Sequence, residues 1–486
     1  MTNLRRILYV VVTLAAAAAL AAGIWTAGRG ESAATIKVDS SQRFQTMDGW
    51  EVSARLWEQN KAKNAYDPAW LAYRDEILDR LVNQVGIDSV RVEVRSGFEN
   101  PVDAWARFES GADSYTGWRK RRYEKINDNA DPDRRNEAGF HFTELDYQIR
   151  NIMLPMRALL ALRGERLHIN LCYVDFSPEG NKGDVDHAAE PAEYAELILA
   201  AFDHLKTQFG ITPDSFEIVL EPEKSDDWRG QQIGRALVAV AARLRAAGYR
   251  PDFIAPSTMR ASAAPGYIDD MLSVPGTAHL VSMISFHTYD TPSDATREAI
   301  WSRARRIGAK TGMLEHFPAT PDEVQRDLTV ANVSRWQPYG IAYLDDPRRD
   351  AQGAYLLLVD PARARDKAVR PASSTGALSQ YFRNVRRGAV RIAASSDNKR
   401  KRATAFVNRD GSYVVIVSAA EGGEVRIAGL PRGTYAISFA PHGGGPRSLP
   451  RVNVGAGQLV ARIPGQGVWV ARQQEVAGAE KAVGHP

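Results

Sequence analysis

The chain has 486 residues, 44 % hydrophobic and 25 % charged, and its 62 Lys and Arg against 58 Asp and Glu leave a net charge of +4. That length exceeds one small core and calls for two or three domains, or one large barrel with an addition. The charge is too small and too scattered for a nucleic-acid-binding protein, and a single cysteine, Cys172, excludes an intramolecular disulfide.

At the N-terminus Arg5 and Arg6 precede an uncharged, alanine-rich stretch from Ile7 to about Trp25, the pattern of an export signal. The stretch is longer than the roughly 7 to 15 residues of a cleavable core and close to the roughly 20 that span a bilayer. Residues 1–33 therefore fit both a cleaved signal peptide and a single N-terminal membrane anchor. Either way the rest of the chain is expected beyond the cytoplasmic membrane, periplasmic or extracellular. Residues 34–47 begin with an alternating strand, "ATIKVDSSQRFQ", expected to pair with a β-sandwich formed later in the chain.

From residue 48 to 385 short apolar runs alternate with segments of helical period. The strand candidates are "IDSVRVEV" (87–94), "RLHINLCYV" (166–174), "FEIVLE" (216–221), "DFIAPS" (252–257), "LVSMISFHTY" (280–289), "TGMLEHF" (311–317) and "NVSRWQPY" (332–339). Between them lie "PAEYAELILAAFDHLKTQF" and "RGQQIGRALVAVAARLRAAG", with apolar residues three and four apart. Strand and helix repeated this often predict an α/β fold, a (β/α)8 barrel. No Gly-rich dinucleotide fingerprint follows the first strand. The irregular, charged and aromatic segment from Arg95 to His141 follows the second strand, which puts it on the C-terminal face of such a barrel, where it would shape a cleft. Cys172, inside a strand candidate, reads as a structural thiol.

After residue 386 the texture changes to short strands punctuated by "RDG" and "PRG", predicting a β-sandwich over 386–472. The densest basic run, "DNKRKR" (397–402), reads as a solvated turn within it. Residues 473–486 carry too little apolar surface to pack and read as a disordered tail.

Two strand candidates end in carboxylates, Glu221 in "FEIVLEPEKSDDW" and Glu315 in "KTGMLEHF". At the C-terminal ends of strands in one barrel they would face each other across a common cleft. Paired carboxyls are the minimum machinery for glycosidic hydrolysis, one protonating the leaving oxygen while the other attacks or activates water, and their environments can push the two pKa values apart. His287, Tyr289, Trp228 and Trp336 lie near these strand ends, and aromatic rings suit the apolar faces of sugars. No H-E-x-x-H or Cys/His cluster supports a metal, and no G-x-S-x-G elbow supports a serine hydrolase. No cofactor is expected.

These stretches resemble the clan A retaining glycoside hydrolases, and most closely glycoside hydrolase family 30, a (β/α)8 barrel carrying a side β-sandwich. "FQTMDGWEVSARLW" resembles that family's Q-x-(I/M)-x-G-F-G opening, with Trp50 where Phe is usual, and "VGIDSVRVEV" its second strand, with Arg91 at the family's arginine. "YVDFSPEG" resembles the segment after strand 3, at Asp175 to Pro178; "VLEPE" and "GMLEHF" resemble the strand-4 and strand-7 motifs; and "SQYFRNVRRGAVRI" (379–392) resembles the bridge into the sandwich. The resemblance implies that Glu221 is the acid/base and Glu315 the nucleophile of a β-glycosidase acting on an oligo- or polysaccharide or glycoconjugate, with Arg91, Trp50 and Asp175 among the substrate-binding residues. Leu220 departs from the pattern, because the clan places there an asparagine that holds the sugar's 2-hydroxyl. That departure keeps a second expectation in view, a non-catalytic carbohydrate-binding or cell-envelope protein on a decayed barrel; transglycosylation is a third.

Overall fold

The computed structural model describes residues 32–56, 68–176, 181–225, 227–455 and 457–474. The expected export segment, apart from its last two residues, lies outside the described residues, as do Pro178 and nearly all of the expected tail. Among the described residues, no helix is long and apolar enough to cross a membrane.

After a leading strand, β1 (Ala34–Thr46), eight parallel strands close into a barrel: β2 (Gly49–Ser53), β3 (Ser89–Arg95), β4 (His168–Val174), β5 (Ser215–Glu217), β6 (Asp252–Thr258), β7 (Val281–Phe286), β8 (Lys310–Met313) and β9 (Val333–Trp336). Closure comes from β9 pairing with β2, Gly49 opposite Arg335 and Trp50 opposite Trp336. Gly49 is required at this seam: its φ is +128°, and a Cβ there would sit 2.5 Å from Asp88 Oδ1, the atom that accepts the Trp50 backbone N–H.

Alternation along β3 explains how the barrel carries polar groups inward. Val90, Val92 and Val94 join the large core shared with the surrounding helices, whereas Ser89, Arg91, Glu93 and Arg95 take the other face and are equally buried. Those inward groups pair with one another's neighbours: Ser89 Oγ donates to Glu51 at 2.7 Å, Asn170 bridges Glu51 and Glu217 at 3.2 and 3.1 Å, and Arg335 donates to His168 at 2.7 Å. The interior thus carries a hydrogen-bonded polar stack beside small apolar clusters such as Ile254, Met283 and Leu314.

The strand expected over 216–221 is regular only to Glu217; beyond it single backbone bonds continue, Leu220 N–H to Tyr173 O at 2.9 Å and Glu221 N–H to Ser257 O at 3.0 Å. Between β9 and the helix Thr375–Asn384 the chain adds a three-stranded sheet of β10 (Gly340–Leu344), β11 (Tyr355–Val359) and β12 (Val369–Pro371).

Eight more strands, from β13 (Val390–Ser396) to β20 (Gly467–Gln473), join β1 in a nine-stranded sheet. β1 runs antiparallel to β13 and parallel to β16 (Gly423–Ala428). The outermost strands, β18 (Arg447–Val454) and β19 (Gln458–Ile463), touch, so one continuous sheet curls over a core that includes Ile36, Val415, Tyr435 and Trp469.

Candidate active site

Glu221 follows β5 in a left-handed backbone conformation, φ 46° and ψ 62°, a costly state for a non-glycine residue that functional positions often retain. Its carboxylate is 2 % exposed. His287, just past β7, lies with Nδ1 3.0 Å from Oε1, and Lys224 Nζ lies 2.5 Å from Oε2. Burial alone would raise the Glu221 pKa; the hydrogen bond and charge of His287 and the charge of Lys224 outweigh it and hold the group at about 2.

Glu315, just past β8, is also buried. The Tyr289 hydroxyl donates to Oε1 at 2.8 Å, and the Arg91 guanidinium pairs with Oε2 while Nη1 donates to Leu314 O at 3.0 Å. Burial and the adjacent Glu315 charge drive the Tyr289 pKa far upward, so its hydroxyl stays a donor. Burial opposes the charge on Arg91, and Glu315 with Glu217 more than restores it. One atom from each of Glu221, His287 and Glu315 lies within 4.8 Å of the other two.

Above Glu315 opens a cleft of about 530 Å³. Glu315 and Lys224 line it, whereas Glu221, paired with Lys224, is not among the lining residues. One wall comes from the 95–141 insertion through Tyr115, Arg119, Arg122 and Tyr123, and the opposite wall from β10 and β11 through Tyr343 and Tyr355. Among the described residues, Glu315 is the single acid lining the cleft, beside Arg55, Arg119, Arg122 and Lys224. Arg55 and Arg122 also carry ion pairs, to Glu93 at 3.0 Å and Glu144 at 3.1 Å. This ring of cations was not singled out from the sequence, although Lys224 stands three residues after Glu221 behind a proline.

Of the expected site residues, Glu221, Glu315, Arg91, His287 and Tyr289 come together. Four others do not reach the cleft. Trp50 is fully buried at the barrel seam, its ring 4.7 Å from Phe382 and its Nε1 donating to Val385 O. Trp336 is buried with its Nε1 on Asp327 at 2.9 Å. Trp228 packs between Tyr173 and Tyr194 and donates to Asp175 at 3.3 Å. Asp175 is itself taken by Lys125 at 2.9 Å and Ser96 at 3.1 Å. Each tryptophan satisfies its N–H inside the core, which is what a large aromatic must do to be buried; sugar contact was the wrong expectation for them.

The model of the glycosyl hydrolase family 30 beta sandwich domain matches residues 388–429. A search of curated proteins finds no match. Solved structures share the whole architecture. The catalytic domain of a GH30 xylanase C from Talaromyces cellulolyticus aligns at TM-score 0.63 and 14 % identity, covering 91 % of this chain and all of that one. The GH30 subfamily 8 xylanase Xyn30A from Clostridium acetobutylicum aligns at 0.60 and 16 %, covering 91 % and 99 %. The endo-beta1,6-glucanase BT3312 aligns at 0.61 and 13 %, covering 92 % and 95 %. At these identities the likeness establishes the fold, a barrel with its side β-sheet.

Proposed function

We propose that this chain is an exported glycoside hydrolase that cleaves β-glycosidic bonds by double displacement. The observation that carries the reading is the convergence of two buried carboxylates from different barrel strands to within 4.8 Å, beneath an aromatic cleft. That convergence accords with the roughly 5 to 5.5 Å between the carboxyl groups of retaining enzymes, as against roughly 6.5 to 9.5 Å in inverting ones. Glu315, aimed by Arg91 and Tyr289, attacks the anomeric carbon; Glu221 protonates the departing oxygen and then deprotonates the water that releases the sugar. Export rests on the N-terminal sequence, and its resemblance to family 30 accords with the sandwich match.

The geometry adds a condition. A group held at about 2 does not donate a proton near neutrality, so the hold of His287, and then of Lys224, on Glu221 must loosen for the acid step. Lys224 is 39 % exposed at the cleft wall, over the Phe176 ring, where a substrate anion would compete with Glu221 for its charge. An acidic saccharide therefore fits this cleft better than a neutral one. Turnover of a panel of neutral and uronic-acid aryl β-glycosides and polysaccharides tests this: cleavage of acidic members, abolished in Glu315→Gln, supports the reading, and binding without cleavage across the panel overturns it. That second outcome would favour the carbohydrate-binding alternative, to which the Lys224–Glu221 ion pair and Leu220 lend support.

A further inference from the structure

Away from the cleft, where the 95–141 insertion meets the helix Pro191–Phe209, a second group of carboxylates converges. One oxygen from each of Glu99, Asp128 and Glu193 lies within 4.8 Å of the others. Glu196 follows Glu193 by three residues on the same helix face, and its carboxyl feels the charges of all three. Glu99, Glu193 and Glu196 are only 0, 5 and 1 % exposed.

These groups are under-satisfied. Glu99 Oε1, Asp128 Oδ1, Glu193 Oε2 and both Glu196 oxygens are buried with no hydrogen-bond partner among the described residues. The nearby cations do not balance them: His187 Nε2 lies 2.8 Å from Glu99 Oε2, and Arg243, 3.7 Å from Glu196 Oε1, is shared with Asp133 at 3.7 Å. Buried carboxylate oxygens left unpaired cost far more than a solvated pair, and each such atom needs an explanation.

We propose that Glu99, Asp128 and Glu193 form a binding site for a divalent cation of the calcium class, with Glu196 beside it one turn along the helix. Every donor is a hard carboxylate oxygen, the ligand type that calcium selects over the N and S donors of zinc. Oxygens held about 2.3 to 2.6 Å from a common ion lie up to about 5 Å apart, which atoms within 4.8 Å of one another satisfy; magnesium gives up its waters reluctantly and is usually held by only one or two carboxylates.

The surrounding chain is shaped to present these oxygens. Asp128 Oδ2 accepts from Asn136 N–H at 2.5 Å and Asn129 Nδ2 at 2.7 Å, which leaves Oδ1 for the cluster. Gly139 lets the loop close, since a Cβ there would meet Asp128 Cβ at 2.3 Å. The ion would clamp the insertion, which carries Tyr115, Arg119 and Tyr123 to the cleft wall, against the barrel helix.

The test uses the full chain, freed of metal by chelation and dialysed against CaCl2 or MgCl2, with bound metal counted and the thermal midpoint recorded. The site predicts about one calcium per chain and a midpoint raised by about 3 °C or more at a hundredfold excess over Kd, with a smaller response to magnesium. A Glu193→Gln/Glu196→Gln variant with native circular dichroism should lose both the uptake and the shift. No bound calcium in the wild-type chain, with equal midpoints in chelator and in CaCl2, overturns the proposal, as does unchanged uptake in the double variant. Neither readout depends on glycosidase activity.

Discussion

Lys224 Nζ and Glu221 Oε2 are 2.5 Å apart, joined by the short turn that Pro222 begins directly after Glu221. With His287, which contributes more, the pair holds in its ionised form the very carboxyl that must donate a proton. Lys224→Met removes a charge that favours the carboxylate, so the Glu221 pKa rises. The alkaline limb of kcat/KM, which reports the acid of the free enzyme, should move up by about one unit or more; a limb that stays put would mean Glu221 is not that acid.

The same group makes stability pH-dependent. Its folded pKa, about 2, is depressed below the 4.5 of an unconstrained glutamate, so its contribution is complete above pH 4.5 and is lost as pH falls toward 2. The loss is on the order of 3 kcal/mol. Urea denaturation at pH 6 and pH 3 should show a smaller acid-induced drop for Glu221→Gln than for the wild-type chain.

Tyr289→Phe deletes the hydroxyl that donates to Glu315 at 2.8 Å. A hydrogen bond to a charged group contributes about 1.5 to 3 kcal/mol, so kcat should fall by about 10- to 100-fold if that bond aligns the nucleophile in the transition state. Steady-state kinetics with KM nearly unchanged would fit this positioning role.

Leu220 is 3 % exposed and packs with Tyr123, Cys172, Val174 and Phe176. Leu220→Asn, which restores the residue type of the resembled family, buries an amide in that apolar patch. The expected cost is about 1 to 3 kcal/mol, read as a lower thermal midpoint, with no gain in kcat because the neighbouring residues leave the amide among rings and methyls.

Period and strand-end position were enough to locate the barrel, Glu221 and Glu315 in the sequence, because both depend on local pattern. The "SVRVEVR" run shows where local pattern misleads. Its polar residues are the sort that usually mark a solvated face, yet here they line the barrel interior and lead to Arg91 under Glu315. The tryptophans misled for the opposite reason. Their ring chemistry suits sugars, but which rings reach the cleft is set by packing partners such as Phe382 and Tyr173, which lie far off in sequence. The cleft's tyrosines and arginines come from four separate chain segments, at residues 55, 115–123, 289 and 339–355, so their meeting could not be read from any one of them.

The central claim, that Glu315 forms a covalent bond to sugar while Glu221 assists, is met most directly by a mechanism-based 2-fluoro glycoside, tried across neutral and uronic-acid versions. Mass spectrometry of the digested chain should find one added sugar on the peptide containing Glu315, and none in Glu315→Gln. A label on any other residue, or an unmodified chain with every version, contradicts the account.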